Sequence, residues 1–413
     1  MIVPTIVMML AAVAAPAQSY TVLYDFPIYN GSQPFEPLSG FVADAAGNLY
    51  GTTPYGGTTD NGTVYELTAP YYSSATVLYS FKGGNDGSEP YAALIRDASG
   101  TFYGTTQGGG GLGNCLGNCG TVFAVNSNKE RVLYAFTGGA DGAEPTAGLV
   151  RDSAGNFYGT AAAGGIANGC GGYGCGVVFK LDRTGNETVL HTFTGGADGG
   201  GPYAGLARDQ AGNLYGTTEW GGSLGNTCFA LVTGCGVVFK LDPSGNETVL
   251  YTFTGGADGG GPGGGTLLLD ATGNLYGTAQ QGGNTSSCTY SFGCGVVYEV
   301  TPGGVETVLY SFSGGTDGRM PYAGLVRDGK GNLYGTTNNG GSTNNGNGFC
   351  AEVDGCGVIF RLTPAGTETV LHAFDATDGY LCEGALLYHS GFLYGATYAG
   401  GTEGYGLTFK LQP

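Results

Sequence analysis

A short phrase ending in Tyr-Gly recurs seven times along this chain, so any fold it adopts must be built from seven copies of one unit. The first copy runs from Asp44 to Gly51 as Asp-Ala-Ala-Gly-Asn-Leu-Tyr-Gly, and the second from Asp97 to Gly104 as Asp-Ala-Ser-Gly-Thr-Phe-Tyr-Gly. The Tyr-Gly anchors start at Tyr50, Tyr103, Tyr158, Tyr215, Tyr276, Tyr334 and Tyr394, with successive spacings of 53, 55, 57, 61, 58 and 60 residues. A period of that size belongs to repeat architectures, which must be sought before the 413-residue length is divided into domains.

Each copy holds four strand-like runs, here lettered a to d. In the fourth copy they are Ala204 to Ala207, Asn213 to Thr218, Val237 to Leu241 and Glu247 to Phe253. All are short, rich in Val, Leu, Tyr, Phe and Thr, and bounded by Asp-x-x-Gly or Pro-Ser-Gly-Asn turns. The 85 glycines serve such turns, since glycine reaches positive φ without a Cβ clash. With no collagen period and 12% aromatic residues, the chain is not a disordered glycine-rich tail.

Four antiparallel strands per repeat of this length predict an all-β, seven-bladed β-propeller, because a closed ring hides the sheet edges. The ends fit closure. A lone d-type run, Tyr20 to Phe26, precedes the first full copy, and the chain stops after a c-type run, Leu407 to Leu411. The N-terminal strand is therefore expected to complete the last blade. An open solenoid would need capping units, and none is visible.

Residues 1–17 read as a secretory signal: an apolar run from Ile2 to Ala15 ends in Ala15-Pro16-Ala17, which would leave Gln18 first in a single propeller domain, 18–413. The run is too short to span a bilayer. Export agrees with the cysteines. Ten of 11 fall in local pairs, Cys115/Cys119, Cys170/Cys175, Cys228/Cys235, Cys288/Cys294 and Cys350/Cys356, each in the loop between strands b and c. In an oxidising compartment they read as disulfides that staple glycine-rich loops, each contributing about 2 kcal/mol by loop closure. Zinc would need about four ligands, and no His or third Cys lies near any pair. Cys382 is left over.

The formal charge is −18, with only 14 Lys and Arg scattered singly, which argues against nucleic acid as a partner. No Ser-His-Asp set, zinc-protease helix or phosphate loop is present, so no catalytic residue is assigned. His191 and His372 stand where other copies have Tyr in strand d. A cofactor is not expected. The repeated Asp of the d–a turn (Asp86, Asp141, Asp198, Asp258, Asp317 and Asp378, with Asn30 in the first copy) could form a calcium-binding ring, but Asp-Gly is first of all a turn dipeptide. The Arg before the a–b turn Asp, as at Arg96, Arg151, Arg208 and Arg327, reads as an ordinary surface ion pair.

Alternating strand directions put the b–c and d–a loops on one face, and the b–c loops vary most. Candidate ligand-binding residues there are Tyr55, Gln107, Glu219, Trp220, Gln280, Gln281, Asn338, Asn339 and Tyr398, at the end of strand b. Aromatic faces beside amides and a carboxylate suit sugar recognition. The expected function is a secreted, monomeric, non-catalytic binding module for polysaccharide or protein. The alternatives are a carbohydrate-active hydrolase or lyase using carboxylates such as Glu219, Glu89 or Glu144, and a purely structural envelope protein.

The chain also resembles a known group, the GloVer-type tandem-repeat proteins, which are bacterial secreted or surface propeller repeats of unassigned activity. The resemblance rests on Gly-Asn-Leu-Tyr-Gly-Thr (212–217), Gly-Cys-Gly-Val-Val-Phe-Lys-Leu (234–241) and Thr-Val-Leu-Tyr-Thr-Phe-Thr-Gly-Gly-Ala-Asp-Gly (248–259), and runs from about Tyr20 to Leu411. Members often carry a C-terminal sorting anchor. Only Gln412 and Pro413 follow the last strand here, so free secretion is expected. The Asp-x-x-Gly-Asn-Leu-Tyr phrase is also similar to repeats of sensor-type and lyase-type propellers, a likeness of fold.

Overall fold

Strand c is the most apolar run of each repeat, and its composition demands burial on both faces. In the fourth copy Val237, Val238, Phe239 and Leu241 are all buried and only Lys240 is partly exposed. The structure, a computed structural model, satisfies that demand with seven four-stranded antiparallel sheets. It describes residues 18–413 except 29–30, 112–114, 116–118, 128, 167–169, 224, 226–227, 229–232, 284–287, 289–291, 342–349 and 351–353. The signal expected at 1–17 and Asn30 lie outside the described residues.

The fourth blade is representative: a is Ala207–Arg208, b Leu214–Thr218, c Val237–Leu241 and d Glu247–Thr252. Strands b, c and d match the sequence reading to within a residue. Strand a is shorter than expected and displaced. Residues from Ala204 run along the ring axis, and the Ala204 carbonyl accepts 2.9 Å from Thr160 Oγ1 of the preceding blade instead of joining a ladder. The same threonine-to-carbonyl bridge links Thr52 to Ala92, Thr105 to Ala147, Thr278 to Ala323 and Thr336 to Cys382, at 2.8–3.0 Å. These bonds explain the Thr that follows Tyr-Gly.

The last blade closes as expected. Ser19–Asp25 pairs antiparallel with Leu407–Gln412, outside Phe392–Thr397 and Leu387–His389. Between blades the main cement is aromatic. The Phe after each strand d meets the central ring of strand c in the next blade edge to face, as Phe26–Tyr65, Phe81–Phe123, Phe136–Phe179, Phe193–Phe239, Phe253–Tyr298, Phe312–Phe360 and Phe374–Phe409, with centroids 4.9–5.6 Å apart. Each such pair is worth about 0.5–1.5 kcal/mol beyond the area it buries.

All five expected disulfides are formed: Cys115–Cys119, Cys170–Cys175, Cys228–Cys235, Cys288–Cys294 and Cys350–Cys356. Their surroundings add burial to the expected loop staples. The second cysteine of each pair, Cys119, Cys175, Cys235, Cys294 or Cys356, is fully buried, because it directly precedes the glycine that opens strand c and so enters the core with that strand. Cys356 goes furthest in this respect. Its partner Cys350 is also fully buried, and both pack in one cluster with Phe374, Cys382 and Leu407, with Ala376 against it.

Cys382 is unpaired and buried. Its thiol lies 3.2 Å from the Ala396 carbonyl, and burial pushes its pKa up to about 12, so it stays protonated and inert. The d–a aspartates are spent on their own turns. Asp258, for example, accepts from Tyr251 Oη at 3.0 Å and Thr254 N at 2.8 Å, and also from the Thr254 hydroxyl. His372 approaches Asp378 to 2.9 Å and His191 approaches Asp198 to 3.6 Å, taking the place of that Tyr. No helix among the described residues is long and apolar enough to cross a membrane.

Candidate functional site

The ring axis is lined by one residue from each blade, three positions before the buried Leu or Phe that leads into strand a. In blade order these are Leu38, Tyr91, Thr146, Tyr203, Gly264, Tyr322 and Glu383. On the face of the b–c and d–a loops they enclose a cavity of about 250 Å³, with Gln107 in its wall. Directly beneath lies a second compartment of about 140 Å³ that narrows onto small residues such as Ser39, Ala92, Ala147 and Gly205.

The backbone that carries this ring is held from two sides. The residue before the proline has positive φ: 56° at Glu36, 58° at Glu89, 55° at Glu144, 65° at Gly201 and Gly261, and 56° at Met320. For the non-glycine residues that costs about 1 kcal/mol each. Their carbonyls accept from the residue ending strand b of the same blade, as Glu89 does from Gln107 N at 3.0 Å and Met320 from Asn338 N at 3.1 Å. Their N–H groups donate to the second cysteine of the preceding blade: Glu144 to Cys119, Gly201 to Cys175, Gly261 to Cys235 and Met320 to Cys294, at 2.9–3.0 Å. These four disulfides therefore anchor the axial mouth, while the fifth, Cys350–Cys356, packs beside Cys382 one residue from Glu383. The proline rests on the glycine after the second cysteine; a Cβ at Gly236 would lie 2.8 Å from Pro262 Cδ.

Around the mouth the carboxylates are shielded. Burial raises the pKa of Glu219, partly offset by the Gln280 amide, which donates to Glu219 Oε1 at 2.8 Å. Burial also raises Glu383, which accepts from Asn338 Nδ2 at 3.3 Å. Asn338 Oδ1 is buried with no hydrogen-bond partner among the described residues. Glu36, also raised by burial, is hydrogen-bonded to Tyr398. Tyr322 feels both Glu219 and Glu383, and its hydroxyl, like those of Tyr91 and Tyr203, is held protonated mainly by burial. Tyr55 and Tyr91 hydroxyls stand 3.4 Å apart.

Of the residues singled out in the sequence, Tyr55, Gln107, Glu219, Gln280, Asn338 and Tyr398 thus gather at or beside the axial mouth. Trp220, Gln281 and Asn339 form the next layer out, bridging through their backbones to Gly200, Gly260 and Arg319. The Trp220 ring occupies the volume that side chains at Gly200 and Gly201 would need, near the Cys170–Cys175 disulfide. Glu89 and Glu144 hold the positive-φ corners before their prolines. Sequence reasoning missed Tyr91, Tyr203, Tyr322 and Glu383. Their signal was a single variable position inside a nearly constant Pro-x-small-small-Leu frame.

This arrangement defines a seven-bladed β-propeller with a polar, tyrosine-walled axial mouth and no cation on the described wall. Residues 11–229 and 165–409 match the sequence model of the Gloeobacter/Verrucomicrobia repeat, and the chain belongs to that family. No curated protein matches it. Among solved structures it is similar to the extracellular domain of a B. thetaiotaomicron protein assigned as a one component system, with 11% identity and a TM-score of 0.53. That match covers 94% of this chain but only 39% of the other, so this chain spans well under half of its length. A gluconolactonase from Xanthomonas campestris is more distant, at 13% identity, 76% and 85% coverage and a TM-score of 0.42. A luciferin-regenerating enzyme matches at 15%, 77% and 88%, with the same score of 0.42.

Proposed function

We propose that this chain is an exported, non-catalytic binding module that takes the end of a neutral glycan at its axial mouth. The observation that carries this reading is the convergence of three tyrosines with Gln107, Thr146 and Glu383 on one cavity of about 250 Å³. Tyrosine rings cover apolar sugar faces, while amides and carboxylates bond hydroxyls. Asn338 Oδ1, buried and unpartnered among the described residues, offers one more acceptor nearby. Shielded carboxylates on a described wall without Lys or Arg disfavour an anionic ligand. Five disulfides fit an oxidising, extracellular setting.

The test is a glycan array probed with the wild-type protein and with Tyr203→Ala/Tyr322→Ala. Binding to neutral glycans that the double variant loses, with its unfolding midpoint unchanged, supports the reading. Binding that survives the double variant, or silence across the array, rejects it. Turnover of a bound glycan would replace the binding module by an enzyme.

A further inference from the structure

On the opposite face, where the a–b turns lie, the grooves between blades are lined in a repeated way. The arginine that ends strand a reaches across to the Tyr of the Tyr-Gly phrase in the preceding blade. Arg96 lies 5.8 Å from the Tyr50 ring centroid, Arg151 5.2 Å from Tyr103, Arg208 5.6 Å from Tyr158 and Arg327 5.4 Å from Tyr276. Two of them also meet the turn aspartate of that preceding blade: Arg151–Asp97 and Arg327–Asp270, both at 3.6 Å. At the sixth seam Tyr388 takes the arginine's place and stacks on Tyr334 at 6.0 Å. Where the ring closes, the position is Ala43, and Tyr72 packs into the cluster that holds Tyr394.

The seam between the fourth and fifth blades breaks the pattern. Strand a of the fifth blade is Leu268–Leu269, so a leucine stands where the arginine would be. A cavity of about 530 Å³ opens there, with Arg208, Asp209, Tyr215, Leu269 and Asp270 in its wall, against cavities of about 240 Å³ beside Arg151 and about 110 Å³ beside Arg327. The turn glycines report the same break in the pattern. A Cβ at Gly100, Gly155, Gly212 or Gly331 would lie 3.2–3.4 Å from an arginine Nη2, whereas at Gly273 the nearest neighbour is Pro302. The groove nonetheless keeps its receptor groups. Tyr215 donates to Asp209 Oδ2 at 3.1 Å, and hydrogen bonds outweigh partial burial to hold the Asp209 carboxylate below its ordinary pKa. Lys240 lies 5.9 Å from the Tyr215 ring, but Lys180 has the same relation to Tyr158 beside Arg208, so the lysine does not fill the arginine's position.

We propose that the groove between the fourth and fifth blades receives an arginine side chain from a basic partner protein. The chain's own arginines supply the template: a guanidinium over the tyrosine face, with its N–H groups toward the aspartate. The formal charge of −18 favours a basic partner over a second copy of this chain. The slot lies on the face away from the axial mouth, and its test is independent of that reading.

The probe is fluorescein-labelled Gly-Arg-Gly amide, titrated by anisotropy against its lysine and citrulline counterparts. The arginine peptide is expected to saturate, and the other two to bind about tenfold more weakly or worse. Leu269→Arg, which restores the side chain found in four sister blades, should abolish binding and leave the fold intact. Asp209→Asn should weaken binding without filling the groove. Absence of saturable binding, equal binding of citrulline or lysine, or undiminished binding by Leu269→Arg would overturn the proposal.

Discussion

Gly216 and Phe239 face each other across strands b and c of the fourth blade, and a Cβ at 216 would sit 2.5 Å from Phe239 Cζ. That close approach explains why Tyr is followed by Gly in all seven copies. The ring of strand c lies over the glycine and extends to meet Phe193 of the blade before, at 5.1 Å. Gly216→Ala should therefore destabilise by about 1–3 kcal/mol through overpacking. Gly329→Ala, which meets nothing within 4 Å, should stay within about 0.5 kcal/mol of wild type. Urea unfolding of the two variants measures the difference, and equal midpoints would refute the packing account.

Ring closure gives a second expectation. Tyr20 stacks on His372 at 3.8 Å and donates to the Asp378 carbonyl at 2.8 Å, while Phe26 packs edge-on against Tyr65. A chain lacking residues 18–26 exposes the Leu407–Gln412 edge and should unfold at markedly lower temperature. A synthetic peptide of residues 18–26 should bind it and recover most of the loss. The Phe26→Ala peptide should recover less, since truncating a buried Phe costs about 3–5 kcal/mol. Unchanged melting of the shortened chain would show that the strand does not secure the ring.

The blades were legible because their code is local and steric. Strand c announces itself as Val-Val-Phe-Lys-Leu, and the Tyr-Gly anchor marks where its ring must land. The axial mouth was not legible in the same way. Tyr91, Tyr203, Tyr322 and Glu383 are far apart in sequence, and only the ring brings that one position of each repeat to a common axis. Trp220 stands out in the sequence as the sole tryptophan, yet its ring fills space left by two glycines of its own blade. Cys356 sits in a glycine-rich stretch that looks like surface loop, yet the start of strand c draws it wholly into the core. Sequence sets Arg151 beside its own turn aspartate; in the structure its Nη1 lies 3.6 Å from Asp97 of the blade before.

The seams also set an unusual pH dependence. Glu187, Glu247, Glu306 and Glu368, at the start of strand d, have pKa values raised to about 7 by burial and then by Asp141, Asp198, Asp258 and Asp317 of the preceding blade. Glu130 is raised to about 8 by burial and then by Asp86, with Lys82 and Arg131 pulling the other way. One carboxyl oxygen of each of these five is buried without a partner among the described residues. A carboxyl that keeps its proton longer in the folded state loses stabilising effect as pH rises from its ordinary 4.5 through the raised value. Below that window the a–b turn acts in the opposite sense. Partial burial raises Asp97, but hydrogen bonds from Ser99, Thr101 and Tyr103 win and hold it at about 2, so its stabilisation is lost as pH falls below its ordinary 3.8. His191, lowered mainly by burial, also opposes below 6.5, but it is one group against five. The unfolding temperature should accordingly peak between about pH 4 and 5 and fall steadily to about pH 8. Because these glutamates are only partly buried, the slope should be shallower than full linkage allows. Glu247→Gln together with Glu306→Gln should flatten the decline and raise stability at the alkaline end. Melting scans across this range decide the matter: stability that climbs from pH 5 to 8, or a double variant with the wild-type slope, would remove the glutamate seams as its cause.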